Sequence, residues 1–421
     1  MGLGTAVRTR TKLGQVFDPR ANALNAFRLV LAAEVILWHS FPVTGHSVSS
    51  RPVLQLLFSV GVDGFFALSG FLITSSWLRN PQLRDYLVAR ALRILPGLYA
   101  CLIVTAFVFA PLSLAIQGGS ATRLLLSSAP IEYVLKNSTL LSALQLDIGG
   151  TPLKIPDAGV WNASVWTLMW EVLCYLAVAA IGVVGLANRR WLTPAILALA
   201  MLGATLLPPL TFPGEWTNLQ LAARFAIMFS AGALLYQWRD VIPARWSLVA
   251  VSVLIVAASS LLPDYRVIGG LPLAYAIIVS GSLIHNKRLR LRTDLSYGTY
   301  IYASPIQQLL AVCGLSGLNP LLFFVIATTA TLPLAALSWV LIEKPAQSLK
   351  SRLKRIGLAP SFPKPADPDV TAVAGERPQQ HGQHFGSHAD RRVRRRVPTT
   401  LGKAEEPGGS GQSERDQRAA G

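Results

Sequence analysis

The chain has 421 residues, of which 52% are apolar and only 14% charged, against about 25% charged in soluble domains. Its net charge is +17, but the basic residues gather between apolar runs and in the C-terminal tail, a pattern of topology signals and anionic-lipid contact rather than of a nucleic-acid platform. These features exclude an ordinary soluble domain and predict an all-α polytopic membrane protein, because only helices or closed barrels satisfy the backbone inside a bilayer.

Apolar runs of about 17–25 residues predict about ten transmembrane helices. They lie near 27–45, 53–76, 91–114, 164–187, 191–209, 219–237, 246–263, 267–285, 296–316 and 320–342. The basic segment 1–26 has no small-x-small cleavage site after the first run, so a retained first helix is expected. Lys and Arg collect in that segment (Arg8, Arg10, Lys12, Arg20) and in alternate links (Arg79, Arg84, Arg90 and Arg93; Arg189 and Arg190; Arg239 and Arg245; Lys287, Arg288, Arg290 and Arg292). This asymmetry predicts cytoplasmic N- and C-termini. The longest outward connection, about 115–163, carries Gly and Pro pairs and a weak helical stretch near 131–144. It is read as a partial cover over an outward cavity. Asn137-Ser138-Thr139 within it is a formal glycosylation sequon, read as chance. Residues 347–421 form a basic tail, rich in Pro, Gly, Gln and Arg with a dense cluster at Arg391–Arg396, and are expected to be disordered and cytoplasmic.

Ionisable residues inside apolar spans are costly and mark cavities or partners. The first span holds Arg28, Glu34 and His39; the second holds Asp63; the fourth holds Glu171. Arg28 and His39 are eleven residues apart, so on a helix they share a face about 16 Å apart along the axis. Rise per residue places His39, Asp63 and Glu171 at a shared depth, in the middle or outer half of the membrane. A histidine with two carboxylates at one depth suits a general base with orienting partners; read only as packing, the three are separately paired residues that fix helix contacts. Glu34 lies about 140° from His39 around the helix and is expected to face another neighbour in a packing or ion-pair role. Arg90 and Arg93, at i and i+3 where the third span begins, suit either a positive-inside anchor or a polyphosphate site. The glycines and Ser69 of GVDGFFALSG are expected to admit close helix contacts. Cys101, Cys174 and Cys313 lie in apolar runs without ligand spacing, no HExxH or phosphate-cradling loop occurs, and no metal site is expected.

In order along most of residues 25–346, these stretches resemble the membrane-bound acyltransferase 3 family, polytopic O-acyltransferases of sugars, polysaccharides and related acceptors. Arg28 and His39 match its Arg-x10-His pair, Gly61–Thr74 its GVDxFFxLSGFL stretch, and Arg90-Ala-Leu-Arg93-Ile-Leu-Pro96 its RxxRIxP stretch. Trp166-Thr-Leu-x-x-Glu171-x-x-x-Tyr175 matches its W(S/T)LxxExxxY stretch, while Leu295–Tyr300 and Ile342–Pro345 match its last two helices. Many members carry a histidine after the SYxxY stretch; here Tyr302-Ala303-Ser304-Pro305 stands there, so a second catalytic histidine is not expected. No esterase-like domain is expected after the last helix.

The resemblance implies a membrane domain over 27–346 that transfers an acyl group, acetyl in the first instance, from acyl-coenzyme A to a hydroxyl of a sugar, exopolysaccharide or glycolipid. The expected localisation is the inner or plasma membrane. Acyl-CoA is then a donor substrate and no cofactor is bound permanently; the other partners are the glycan acceptor and membrane lipids. Arg28, Arg90 and Arg93 would hold the donor. His39 would act as base or acyl carrier, assisted by Asp63 or Glu171. Trp166 and Tyr175 would line the acceptor cleft, or else belong to the interfacial aromatic belt. A transporter or flippase of a sugar-containing substrate is the alternative reading.

Overall fold

A computed structural model describes residues 11–140, 145–210, 214–291 and 293–355. The expected tail begins within a helix, Lys344–Arg355, because the last helix runs on past the apolar run. Residues 356–421, with the arginine cluster, lie outside the described residues.

Each of the ten expected spans coincides with a helix. We label them α1 (Leu24–Val43), α2 (Arg51–Arg79), α3 (Leu83–Ile116), α4 (Trp166–Val183) and α5 (Leu192–Leu206). The remainder are α6 (Asn218–Gln237), α7 (Trp246–Ser259), α8 (Arg266–Leu283), α9 (Ser296–Val312) and α10 (Pro320–Leu349). Among the described residues seven are long and apolar enough to cross a membrane; α5, α7 and α9 are shorter. The chain is thus an all-helical polytopic membrane protein. The largest boundary difference is at α3, which begins at Leu83 rather than near 91. Arg84, Arg90 and Arg93 therefore lie within that helix, because polar residues at a membrane rim continue a helix whose backbone bonds are internal.

The centre of the bundle is α2, packed against α1, α6 and α8, while α9 closes onto α1. Helix α6 and helix α8 are mostly buried, whereas α4 and α10 leave most of their surface to lipid. Small residues allow the central crossing. A Cβ on Gly70 would stand 1.9 Å from the Phe229 carbonyl oxygen, and one on Gly232 1.9 Å from that of Ala67. The two backbones are therefore in direct contact, as the small-residue pattern of α2 led one to expect. Stacking of Phe66 on Phe225 (centroids 4.1 Å apart) extends the same seam.

The long connection after α3 folds over one end of the bundle. Its helical stretch runs over Ala129–Ser138, and residues 141–144 lie outside the described residues. Asn137 is buried and donates to the Tyr133 and Gln145 carbonyls, so the sequon asparagine serves the loop's own fold. Further on, Asn162 donates to the Ile301 carbonyl (2.9 Å), and the Ser304 hydroxyl accepts from the Ala163 amide (3.0 Å). Ser304, where related sequences carry a histidine nearby, thus fastens loop to helix.

Replacing Gly232 with Ala should push α6 off α2, since 1.9 Å to a backbone oxygen leaves no room for a methyl group. A loss of about 2 kcal/mol or more is expected, measurable as a lower Tm of the detergent-solubilised protein, with Ala231→Gly as the milder control.

Candidate functional site

Three cavities line up between α1, α2, α3, α4 and α9. The first, about 450 Å³, opens among Asn25, Arg28, Arg90, Arg93 and Asp294. The second, about 40 Å³, is lined by Arg28, Arg93, Ser69, Glu171, Tyr175 and Tyr297. The third, about 270 Å³, holds His39, Glu34, Asp157, Trp166, Trp216 and Arg224. Arg28 and Arg93 border both the first and second; Val62, Thr167 and Tyr300 border both the second and third. The three adjoin in series through these shared wall residues, and the smallest is a narrow waist between the other two. A separate apolar crevice of about 160 Å³, between Trp77, Leu192 and Phe229, carries no carboxylate, imidazole or cation.

At the wide mouth, Arg28 Nη1 and Arg93 Nη2 both donate to Asp294 Oδ2, at 2.7 and 2.6 Å. One carboxylate thereby sets the positions of two guanidiniums from helices α1 and α3. Burial would raise the Asp294 carboxyl, but Arg28, Arg93 and the Ser296 hydroxyl outweigh it and hold the carboxyl well below the usual carboxylate range. Arg90 lies over the Tyr175 ring (5.9 Å), and its Nε makes no hydrogen bond. Three arginines against one aspartate leave this mouth positive by two charges. Arg28, Arg90 and Arg93, the expected donor-binding residues, are thus brought together; Asp294, which organises them, was missed. It precedes the SYGTY stretch, and its loop position gave no sign of a partner 266 residues away.

In the waist, Glu171 accepts from the Ser69 hydroxyl (3.2 Å) and from the Tyr175 hydroxyl. The Tyr300 hydroxyl pairs with Thr167 Oγ1 (2.6 Å). Glu171 and Tyr175 therefore belong to the waist and the mouth side, one helical turn apart on α4. Neither lines the third cavity.

In the third cavity, His39 Nδ1 lies 2.8 Å from the Val35 carbonyl oxygen. A carbonyl only accepts, so this contact selects the tautomer with the proton on Nδ1 and leaves the lone pair on Nε2. The expectation that Asp63 or Glu171 orients the imidazole is corrected here: its own helix does so. Asp63 faces away. Its Oδ1 accepts from Arg224 Nε (2.9 Å), and its Oδ2 accepts from Arg266 Nε (2.6 Å) and the Tyr265 hydroxyl (2.6 Å). Arg266 also donates to Ser59 Oγ and Asp264 Oδ1. Equal depth along neighbouring helices did not mean a shared face.

The carboxylates that do border the His39 cavity are Glu34 and Asp157. Asp157 comes from the long connection and accepts from Gln308 Nε2 (3.0 Å). Burial pushes its carboxyl above the usual range, while the neighbouring His39 and the Gln308 amide pull it back. The connection also contributes Leu146, Val160 and Ala163 to the wall, as expected of a cover. Glu34 packs against Gly61, where a Cβ would meet its Oε2 at 1.9 Å, but its Oε1 has no hydrogen-bond partner. It thus borders the cavity instead of closing an ion pair. Trp166 lines the cavity as expected, with its ring 5.8 Å from that of Trp216. Arg224 was missed although it interrupts the apolar run LAARFAIMF, the signal used for the other spans.

Asp63 pairs with two arginines that are themselves almost fully buried, and Asp264 also pairs with Arg266. Asp63→Asn should cost about 3–5 kcal/mol by leaving Arg224 without a carboxylate partner and Arg266 with Asp264 alone. The expected observation is a large drop in Tm or in the yield of folded protein. A variant that stays as stable as the parent and loses only turnover would return Asp63 to the chemistry.

Comparison with known proteins agrees with this arrangement. The acyltransferase 3 family profile, described as an acyltransferase domain, matches residues 21–340. The chain is 25% identical over 349 residues to an O-acetyl transferase of Shigella phage Sf6, covering 77% of this chain and 96% of that protein. It is 28% identical over 375 residues to Nodulation protein 10 of Rhizobium leguminosarum bv. viciae, covering 80% and 97%. No solved structure matches significantly. The match over residues 21–340, which takes in the arginine cluster, Glu171 and His39, identifies the chain as a member of the acyltransferase 3 family.

Proposed function

We propose that this membrane acyltransferase moves an acyl group, acetyl in the first instance, from acyl-coenzyme A to a hydroxyl of a sugar or glycan. The observation that carries the reading is the series of adjoining cavities from Arg28, Arg90 and Arg93 to His39. A coenzyme A donor has phosphates at one end and a thioester at the end of a long thin arm. A cationic mouth, a narrow waist and a histidine beyond it match that shape in order. The roughly 16 Å between Arg28 and His39 along α1 is a distance such an arm can bridge.

The mouth faces the cytoplasm, where the Lys and Arg asymmetry puts the chain termini, and the His39 cavity faces outward. The protein then belongs in the inner or plasma membrane. The guanidiniums bind the phosphates, Arg28 and Arg93 already being spaced by Asp294. Glu171 and Tyr175 flank the arm, a role that replaces the acceptor contact expected of Tyr175. His39 Nε2 takes the proton of the acceptor hydroxyl as its oxygen attacks the thioester carbonyl. The carbon–sulfur bond breaks, and the proton returns to the departing thiolate.

Purified protein in nanodiscs given radiolabelled acetyl-CoA and candidate sugars should transfer label. His39→Ala should reduce transfer about 10²–10⁴-fold while leaving acetyl-CoA binding intact; undiminished transfer would remove His39 from the mechanism. The double variant Arg90→Ala with Arg93→Ala should weaken donor binding, most strongly at low salt because exposed charges are screened within about 10 Å at 0.1 M. Unchanged affinity at every salt concentration would make these arginines membrane anchors instead.

A further inference from the structure

Glu34 and Arg224 border the cavity that contains His39, and they form no ion pair with each other among the described residues. Arg224 is pinned. Its Nε is committed to Asp63, and its guanidinium lies 5.4 Å from the Phe58 ring centre and 5.3 Å from that of Phe225. The side chain is 1% exposed, yet Nη1 and Nη2 donate no hydrogen bond. Glu34 is held against Gly61 on α2, with Oε1 equally unsatisfied. Buried polar groups left unpaired are costly, more so when charged, and they mark places built for a ligand or for water.

The occupant must donate to a carboxylate and accept from a guanidinium within one small space. A group that only accepts, such as a carboxylate, would satisfy Arg224 but leave Glu34 Oε1 facing another acceptor; a group that only donates, such as an ammonium, would do the reverse. Neighbouring hydroxyls do both, each being donor and acceptor. The remaining wall is a run of aromatic rings. Trp38 lies 5.3 Å from Phe58, Phe58 lies 5.2 Å from Trp216, and Trp216 lies 5.8 Å from Trp166. The flat apolar faces of such a wall suit the C–H face of a pyranose. The cavity, about 270 Å³, is near the lower end of small-molecule sites, roughly 300 Å³.

We infer that Glu34 and Arg224, facing the Trp38–Phe58–Trp216–Trp166 wall, form a binding subsite for a neutral sugar ring held by adjacent hydroxyls. That this ring is the acyl acceptor rests on the transfer reaction proposed above; that the site binds a neutral polyol does not. Glu34 supplies the discrimination against acidic sugars, and Arg224 the grip on hydroxyl oxygens.

Tryptophan emission reports on the site directly, without acyl-CoA, since three of the four rings are indoles. The full-length protein in nanodiscs would be titrated with the methyl glycosides of glucose, galactose, rhamnose and N-acetylglucosamine, and with methyl glucuronide. At least one neutral glycoside should perturb the emission saturably and more tightly than the glucuronide. Glu34→Gln, which keeps size and shape, should weaken that binding about tenfold or more, and Arg224→Lys, which keeps charge but loses the fork, by a similar factor. Glu34→Gln carries the test if Arg224→Lys does not fold. Saturable binding that both variants retain unchanged, tighter binding of the glucuronide, or no saturable response to any neutral glycoside would overturn the subsite. Glycoside binding that depends on Glu34, in a protein that transfers no label from acetyl-CoA, would uphold the subsite and sink the transfer reaction.

Discussion

Three helices of this bundle are tied at one carboxylate. Asp63 on α2 accepts from Arg224 of α6 and from Arg266 at the start of α8, and Tyr265 adds a further hydrogen bond. In a low-dielectric interior such a cluster is directional: its members attract strongly only when every donor finds its acceptor, and removing one leaves charge that water cannot reach. The direct backbone contact of Gly70 and Gly232 draws α2 and α6 together, and the ion cluster fixes their rotation about that contact. What remains of the Arg224 fork is thereby presented to the neighbouring cavity.

The passage follows from this frame. Helix α1 lies along α2 and carries Arg28 near one end and His39 near the other. Helix α3 brings Arg90 and Arg93 to the Arg28 end, and Asp294 ties two of the three together. At the other end the long connection, fastened through Asn162, Ser304 and Gln308, supplies Asp157 and a wall. A rigid helix thus separates an arginine cluster from a histidine by a set distance, and the loop completes the end where irregular backbone can find partners.

Much of this was legible in residue order. Apolar run length locates every span, because a helix must cross about 30 Å of hydrocarbon. The buried ionisable residues of α1, α2 and α4 stand out for the same reason. Partnership was not legible. Asp63, Glu171 and His39 share a depth, yet Asp63 turns to α6 and α8, Glu171 turns to Ser69 and Tyr175, and His39 bonds its own helix. Depth is read from rise per residue; facing depends on how each helix is rotated against its neighbours, and packing sets that rotation. Asp294 escaped notice because it sits in a connection, where a carboxylate is ordinarily solvated.

The order of residues by itself determined a polytopic helical bundle, the helix that carries both Arg28 and His39, and the concentration of arginines at one rim. These are properties of single segments, decided by hydrophobic length and by charge position along one axis. Tertiary structure alone decided that Asp294 joins Arg28 to Arg93, that Asp63 pairs with Arg224 and Arg266, and that Glu34, Asp157 and Arg224 gather around the His39 cavity. Each of those pairings links residues far apart in the chain. Their partners are selected by helix rotation and by the energetic demand that buried charge be matched, and no local pattern records that choice.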